Sequence, residues 1–353
     1  MVMYVYMNSH GVLYALNSRG QQDDWMQNKT NDMYDVRKYF LRNNEHKRAY
    51  MKLKCTTTTN NKIGIQIDED CCDLVNNVDL YITMPKTWDV NTCIKALETE
   101  SSMQRLDAIN DGQPIETAIN TDAEIFGTPH RKVRYMDCPT DATKKLAIVP
   151  LYLAPFYETN LACPSLAYHR LMVNVYLAKD YDMDAVTMEL YGDCYYFYRP
   201  AIREWIFNDR HQFVTIQHQG CYAHDKTIRQ GVNRFRLYFN HPVHCMYFWG
   251  FDKTKVKRIR LCMNDDCDFY DGAIEPLEYF KLSRGITAEP VMIIFSEMKF
   301  DRRPQSTVNF SQIDNPVLII ETEQTEETQL HMIGLNVQGY TTCSGMMGLV
   351  YSK

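Results

Sequence analysis

Histidine and cysteine are the residue types whose spacing first invites chemistry. His241 and His244 stand as HxxH, Cys245 adjoins them, and Cys262 and Cys267 enclose CMNDDC. A structural zinc ion takes four such ligands in a tetrahedron, usually as two close pairs. The four-residue gap in CMNDDC is a weak pair, and no second pair stands at a customary distance. His241 precedes Pro242 at the end of a strand pattern, where a turn is the simpler use. Cys71 and Cys72 are adjacent, and neighbouring thiols chelate or bridge only with strain. They are expected to serve packing and a turn, and no metal or cofactor is expected.

Nucleophilic and phosphate-binding motifs are missing. GxSxG, GxxxxGK[ST], HExxH and GxGxxG do not occur, so the mechanisms they support have no anchor. Paired carboxylates for glycoside chemistry need a spacing that sequence alone cannot place. No catalytic residue is assigned, and an enzyme is not expected. The segment KTKVKRIR (253–260) carries Lys253, Lys255, Lys257, Arg258 and Arg260. Five cations in eight residues suggest a weak contact with a genome or an acidic partner. A solvated segment between strands explains them as well.

Those residues sit in a chain of 353 residues with a net charge of −6, which disfavours a protein that coats nucleic acid. Twelve cysteines spread over that length do not make a disulfide framework. The opening MVMYVYM has no basic flank or small-residue cleavage site, so reduced thiols and an intracellular origin are expected. No apolar run approaches the roughly 18 residues that span a bilayer.

With 24 Tyr and 15 Phe the composition leans towards strands. Period-two alternation places Ile63, Ile65 and Ile67 on one face, then Val78, Leu80 and Ile82. Leu171, Val173, Val175 and Leu177 repeat it, as do Phe235, Leu237 and Phe239. VMIIF (291–295) and PVLII (316–320) have the unbroken apolar character of strands buried on both sides. Helical spacing is rarer. It is expected over 87–106, from Val90, Ile94 and Leu97, and over 200–208, where Pro200 suits a first turn. Many short strands without βαβ alternation indicate sandwiches or barrels.

Several segments, in chain order, resemble the double jelly-roll major capsid proteins of nucleocytoplasmic large DNA viruses and their polinton-like relatives. GVLYALNSRGQQDDWM (11–26) resembles the family's opening pattern. In QIDEDCCDLVNNVDLYITMPK (66–86), Asp73 and Leu74 match, while Cys72 replaces the usual glycine and Met84 the usual leucine. In 146–177, Pro150, Leu151, Leu161, Pro164, Ala167, Tyr168 and His169 stand in the family's places. Asn240, His241, Pro242, Val243 and Trp249 resemble its Asn-His-Pro-Val segment. RPQSTVNFSQIDN (303–315) is similar to its Pro-Ser-Gly-Thr-x-Asn-Phe-Ser-Arg-Ile-Asp run, through Asn309, Phe310, Ser311 and Asp314. Gln312 there replaces arginine and Ser306 replaces glycine. The closing 335–353 resembles the family's terminal strand pair.

The resemblance implies an all-β chain of two consecutive antiparallel jelly-roll sandwiches with a few short helices in loops. The expected division is 1–198, including an N-terminal arm, a helical linker at 199–209, and 210–353. It further implies a virion protein, made and assembled inside the host cell. Its partners would be further copies of itself in homotrimers and neighbouring capsomers, with penton and minor capsid proteins. A minor virion jelly-roll protein and a double jelly-roll glycan hydrolase are the alternatives. Polar side chains in NFSQIDN can satisfy backbone groups at a sandwich corner, just before a buried strand.

Overall fold

A computed structural model describes residues 45–59, 62–102, 104–109, 114–156, 161–178, 182–208, 211–220, 226–264, 268–295 and 307–349. The segments 11–26 and 302–306, and residue Cys267, lie outside the described residues.

Eight strands build the first roll. In chain order they are His46–Lys52, Ile63–Ile67, Leu74–Pro85, Ile94–Ser101, Gln104–Ile109, Lys144–Pro150, Leu171–Leu177 and Thr187–Phe197. Counted one to eight, they form one sheet in the order 1-8-3-6 and another in the order 2-7-4-5. Each sheet alternates strands from early and late in the roll, which is the double Greek key of a jelly roll. Arg134–Asp137 extends the first sheet, and Cys55–Thr59 the second. Alternation supplies the core: Val78, Leu80 and Ile82 of the third strand are buried, as are Leu171, Val173 and Val175 of the seventh.

The same order recurs in the second half. His211–Gly220, Gly231–Arg236, Pro242–Trp249, Val256–Cys262, Asp268–Gly272, Val291–Ile294, Val317–Thr322 and His331–Cys343 again pair as 1-8-3-6 and 2-7-4-5. Between the sheets lies an apolar cluster that includes Phe235, Phe239, Phe248, Leu261, Phe310 and Leu318. Pro242–Trp249 is buried along its whole length, so it shows no alternation. Past its end the chain turns at Gly250, with φ +99. A Cβ there would stand 2.0 Å from the Gln329 carbonyl oxygen, so only glycine fits.

Each roll inserts one helix between its fifth and sixth strands, Ile115–Ile125 in the first and Glu275–Ser283 in the second. The helix Pro200–Asn208 joins the two strand sets. The helical spacing expected over 87–106 is not realised beyond the single turn Val90–Cys93; Ile94–Ser101 and Gln104–Ile109 are paired strands. Cross-strand partners decided it: Leu97 lies opposite Val175 and Ile109, and local periodicity yielded to that burial.

By compactness the described chain divides into one unit of 45–217 with 338–349, and another of 218–337. The chain leaves the first unit within the strand His211–Gly220 and returns within His331–Cys343. Those two strands, of 10 and 13 residues, are the first and last of the second roll.

Candidate functional site

Two corners gather the residues singled out by type and order. In the second unit, Pro242 pairs with Asn309, and Val243 with Val308. Asn309 is buried, and its side-chain oxygen accepts the Ser311 N–H at 3.1 Å, closing an Asx turn. The Ser311 hydroxyl oxygen accepts the His241 N–H at 2.8 Å, and the His241 carbonyl accepts the Phe310 N–H at 3.1 Å. His241 holds φ +62, a left-handed conformation that β-branched side chains rarely tolerate. Phe310 drops into the core, edge-on to Phe239 at 5.4 Å and to Phe295 at 5.8 Å. The Asp314 N–H donates to the Asn264 side chain at 2.9 Å, and its carbonyl accepts from Arg236 at 3.1 Å. Asn240 donates its N–H to the Gln219 side chain at 2.8 Å. The side chains of Asn309, Ser311, Asn264 and Gln219 are spent on backbone, which makes this knot a fastening.

The other corner is in the first unit. Asp73 is buried, and its carboxylate accepts the Phe197 N–H at 2.7 Å and Arg203 at 2.9 Å. It thereby ties the start of the strand Leu74–Pro85 to the last strand and to the helix Pro200–Asn208. Leu74 is buried opposite Ala162. Pro150 closes its strand opposite Asp79, and Pro164 is buried in the 3-10 turn Cys163–Leu166. Tyr168 is exposed, but its N–H donates to the Gly345 carbonyl at 2.9 Å. His169 Nδ1 lies 3.0 Å from the Met347 N–H and 2.5 Å from the Met347 carbonyl oxygen. One nitrogen cannot accept and donate at once, so the ring tautomer selects the bond that is made. Gly345 has φ +76, and a Cβ there would meet Phe207 at 2.7 Å and Tyr168 at 2.9 Å. The terminal hairpin is therefore seated on the Tyr168–His169 turn.

The basic segment is the 3-10 turn Lys253–Lys255 and the strand Val256–Cys262, paired on both sides, rather than a loop. Its five cations all face carboxylates of the same chain. Lys253 pairs with Glu278 at 2.9 Å, Lys255 with Asp252 at 3.7 Å and Lys257 with Glu323 at 2.8 Å. Arg258 forks onto Asp271, which Arg260 approaches at 3.8 Å. The Arg258 guanidinium holds the Asp271 carboxyl below its ordinary range. Paired so, these cations offer little free positive charge to a phosphate backbone.

Two arrangements escaped the sequence reading. Arg131 binds the side chains of Asn77, at 2.7 Å, and Asp79, while the Tyr50 hydroxyl donates to Asp79 at 2.7 Å. Burial, with its Tyr81 and Asp79 partners, pushes the Tyr50 hydroxyl well above its ordinary pKa. The other is a thiol cluster. Among the described residues, Cys71, Cys72 and Cys163 form the grouping compact enough to share a metal ion; the HxxH segment and Cys262 do not. His244 is buried instead, and desolvation lowers its ring pKa to about 4. No spacing rule could have found the cluster, since Cys163 stands more than 90 residues beyond Cys72. Leu74 opposite Ala162 was the pairing to know.

Two eight-stranded rolls of one order, each fastened at a corner, make this chain a double jelly roll. Solved structures share that fold. PBCV-1 VP54, as fitted into a cryo-EM reconstruction of the virophage Sputnik, aligns with a TM-score of 0.68 and 17% identity, over 88% of this chain and 98% of that one. The quasi-atomic PBCV-1 virus capsid gives 0.65 and 16%, with the same coverage. The Faustovirus major capsid protein gives 0.56 and 8%, over 84% of this chain and 90% of that one. No family model matches the sequence, and no curated protein does.

Proposed function

We propose that this chain is a viral major capsid protein, trimerising into pseudo-hexameric capsomers that tile an icosahedral shell around a DNA genome. The observation that carries the proposal is the repetition of one jelly-roll strand order twice in a single chain. A three-fold assembly of such chains has six similar lobes, and that outline tiles a curved surface with few gaps. Likeness in fold to the PBCV-1 capsid and the Faustovirus major capsid protein supports it. In this reading the function is carried by shape and contact. Each roll is a lobe, the first expected within 1–198 and the second within 210–353, with 199–209 between them.

Contact surface is available on the helix Glu275–Ser283. Tyr279 is 76% exposed, Leu282 55% and Phe280 41%. Three large apolar side chains on one short helix mark a place for another protein, and tyrosine suits such contacts because its ring is apolar and its hydroxyl polar. In this reading the partner is a neighbouring copy, with penton and minor capsid proteins at other edges of the shell. Among the described residues no helix is long and apolar enough to cross a membrane. Electron micrographs of the purified protein test the proposal: six-lobed particles, alone or in sheets and shells, are expected. Dispersed two-lobed monomers at every salt and pH would overturn it and favour the hydrolase alternative.

A further inference from the structure

The thiol cluster at the first roll's corner serves no purpose in the capsid reading. Cys71 and Cys72 end the turn before the strand Leu74–Pro85, with the Cys71 N–H bonded to the Asp68 carbonyl at 3.2 Å. Cys163 is drawn in by the pairing of Leu74 with Ala162, and its N–H donates to the Asp73 carbonyl at 3.2 Å. Their sulfurs lie 3.4 Å apart for Cys71 and Cys163, and 3.7 Å for each of the other two pairs. All three are buried free thiols. Cys194 is buried opposite Val75, outside that grouping.

A zinc ion with sulfur ligands at about 2.3 Å sets tetrahedral edges of about 3.8 Å between those sulfurs. The observed triangle is close to that size, whereas bonded cysteine sulfurs stand about 2.05 Å apart. We propose that Cys71, Cys72 and Cys163 supply three sulfur ligands of a structural zinc site that staples this corner. It would join the turn before the third strand to the turn at Cys163–Leu166. Those are parts of the chain that Asp73 also bonds. On binding, each ligating thiol releases its proton to solvent and the sulfur becomes a thiolate. Three thiolates outweigh one divalent ion, and two cations reach this turn from other elements, each shared with a carboxylate. Lys54 pairs with Asp70 at 2.5 Å, and Arg203 donates to the Glu69 carbonyl at 3.0 Å and pairs with Asp73. Zinc is the divalent ion that a sulfur-rich tetrahedral set favours. The adjacency of Cys71 and Cys72, which argued against chelation from sequence, is no obstacle at a sulfur separation of 3.7 Å.

Full-length protein purified without chelators is analysed for metals and, after stripping, titrated with cobalt(II). Zinc at about one equivalent per chain is expected, with thiolate-to-cobalt charge-transfer absorption and the visible bands of tetrahedral cobalt. Cys163→Ser should lose most of the zinc, while Cys343→Ser, outside the cluster, keeps it. Should Cys163→Ser fail to fold, the cobalt spectrum of the unaltered chain still decides. Less than about a tenth of an equivalent of zinc together with a featureless cobalt titration would overturn the site. So would a Cys71–Cys163 disulfide in peptide maps of the protein as purified.

Discussion

The two rolls put a helix in the same connection and use it in opposite ways. In the first roll, Ile115–Ile125 buries Ile115, Ala118, Ile119 and Ala123, and its apolar stripe is consumed by its own core. In the second, Glu275–Ser283 buries Leu277 and the stem of Lys281, whose ammonium donates to the Ala288 and Pro290 carbonyls at 2.7 and 3.0 Å. Tyr279, Phe280 and Leu282 are left outside. One topology thus supports both a helix whose apolar side chains are buried and one that leaves them exposed. What distinguishes them is which side of a helix carries the apolar residues, a property that can change without disturbing the strand order.

That contrast breaks most visibly when a charge is placed on each helix. Ile119→Asp buries an unpaired carboxylate and should cost more than about 4 kcal/mol, giving insoluble protein. Leu282→Asp places the same group in water and should leave the melting temperature nearly unchanged. Equal loss of soluble protein from both variants, measured by expression and thermal melting, would erase the distinction.

A smaller effect separates core from surface by pH. His244 is buried with its ring pKa lowered to about 4 by desolvation, against about 6.5 when unfolded. Between those values the unfolded chain binds the proton and the folded chain does not, so stability rises with pH. The contribution is full above pH 6.5 and lost as pH falls towards 4, on the order of 2–3 kcal/mol. Denaturant melts across this window should be steeper in pH for the unaltered protein than for His244→Gln; parallel curves would place the ring in water.

Asn309→Ala removes the Asx bond at the second corner and should cost about 1–2 kcal/mol. A change below about 0.3 kcal/mol in the denaturation midpoint analysis would mean that strand pairing alone holds that corner. Smallest of all, Arg258→Ala removes an exposed pair and should cost under about 1 kcal/mol. DNA retention on a heparin-competed column should not change; a marked loss of retention would show that this strand meets nucleic acid despite its carboxylates.

The strands were readable because burial of one face leaves period two in the residues, as in Ile63–Ile67 and Leu171–Leu177. The corner at Asn309 was readable for a different reason. Asx turns use neighbours in sequence, and Asn309 to Ser311 is such a bond. The strands at 94–109 were misread because their apolar spacing also fits a helix and only their partners decide. The thiol cluster and the Arg131–Asp79 bond join residues far apart in sequence, through pairings that no local pattern announces.

The capsid reading requires self-association through surfaces such as that second helix, and solution mass is its most direct test. Light scattering on the purified chain of 41.4 kDa should report a trimer of about 124 kDa, three times the chain. The double variant Tyr279→Asp/Leu282→Asp should shift the mass towards one chain while melting as cooperatively as the original. A stable monomer from the unaltered protein at micromolar concentration, across the salt and pH range in which it stays folded, would contradict the capsid assignment.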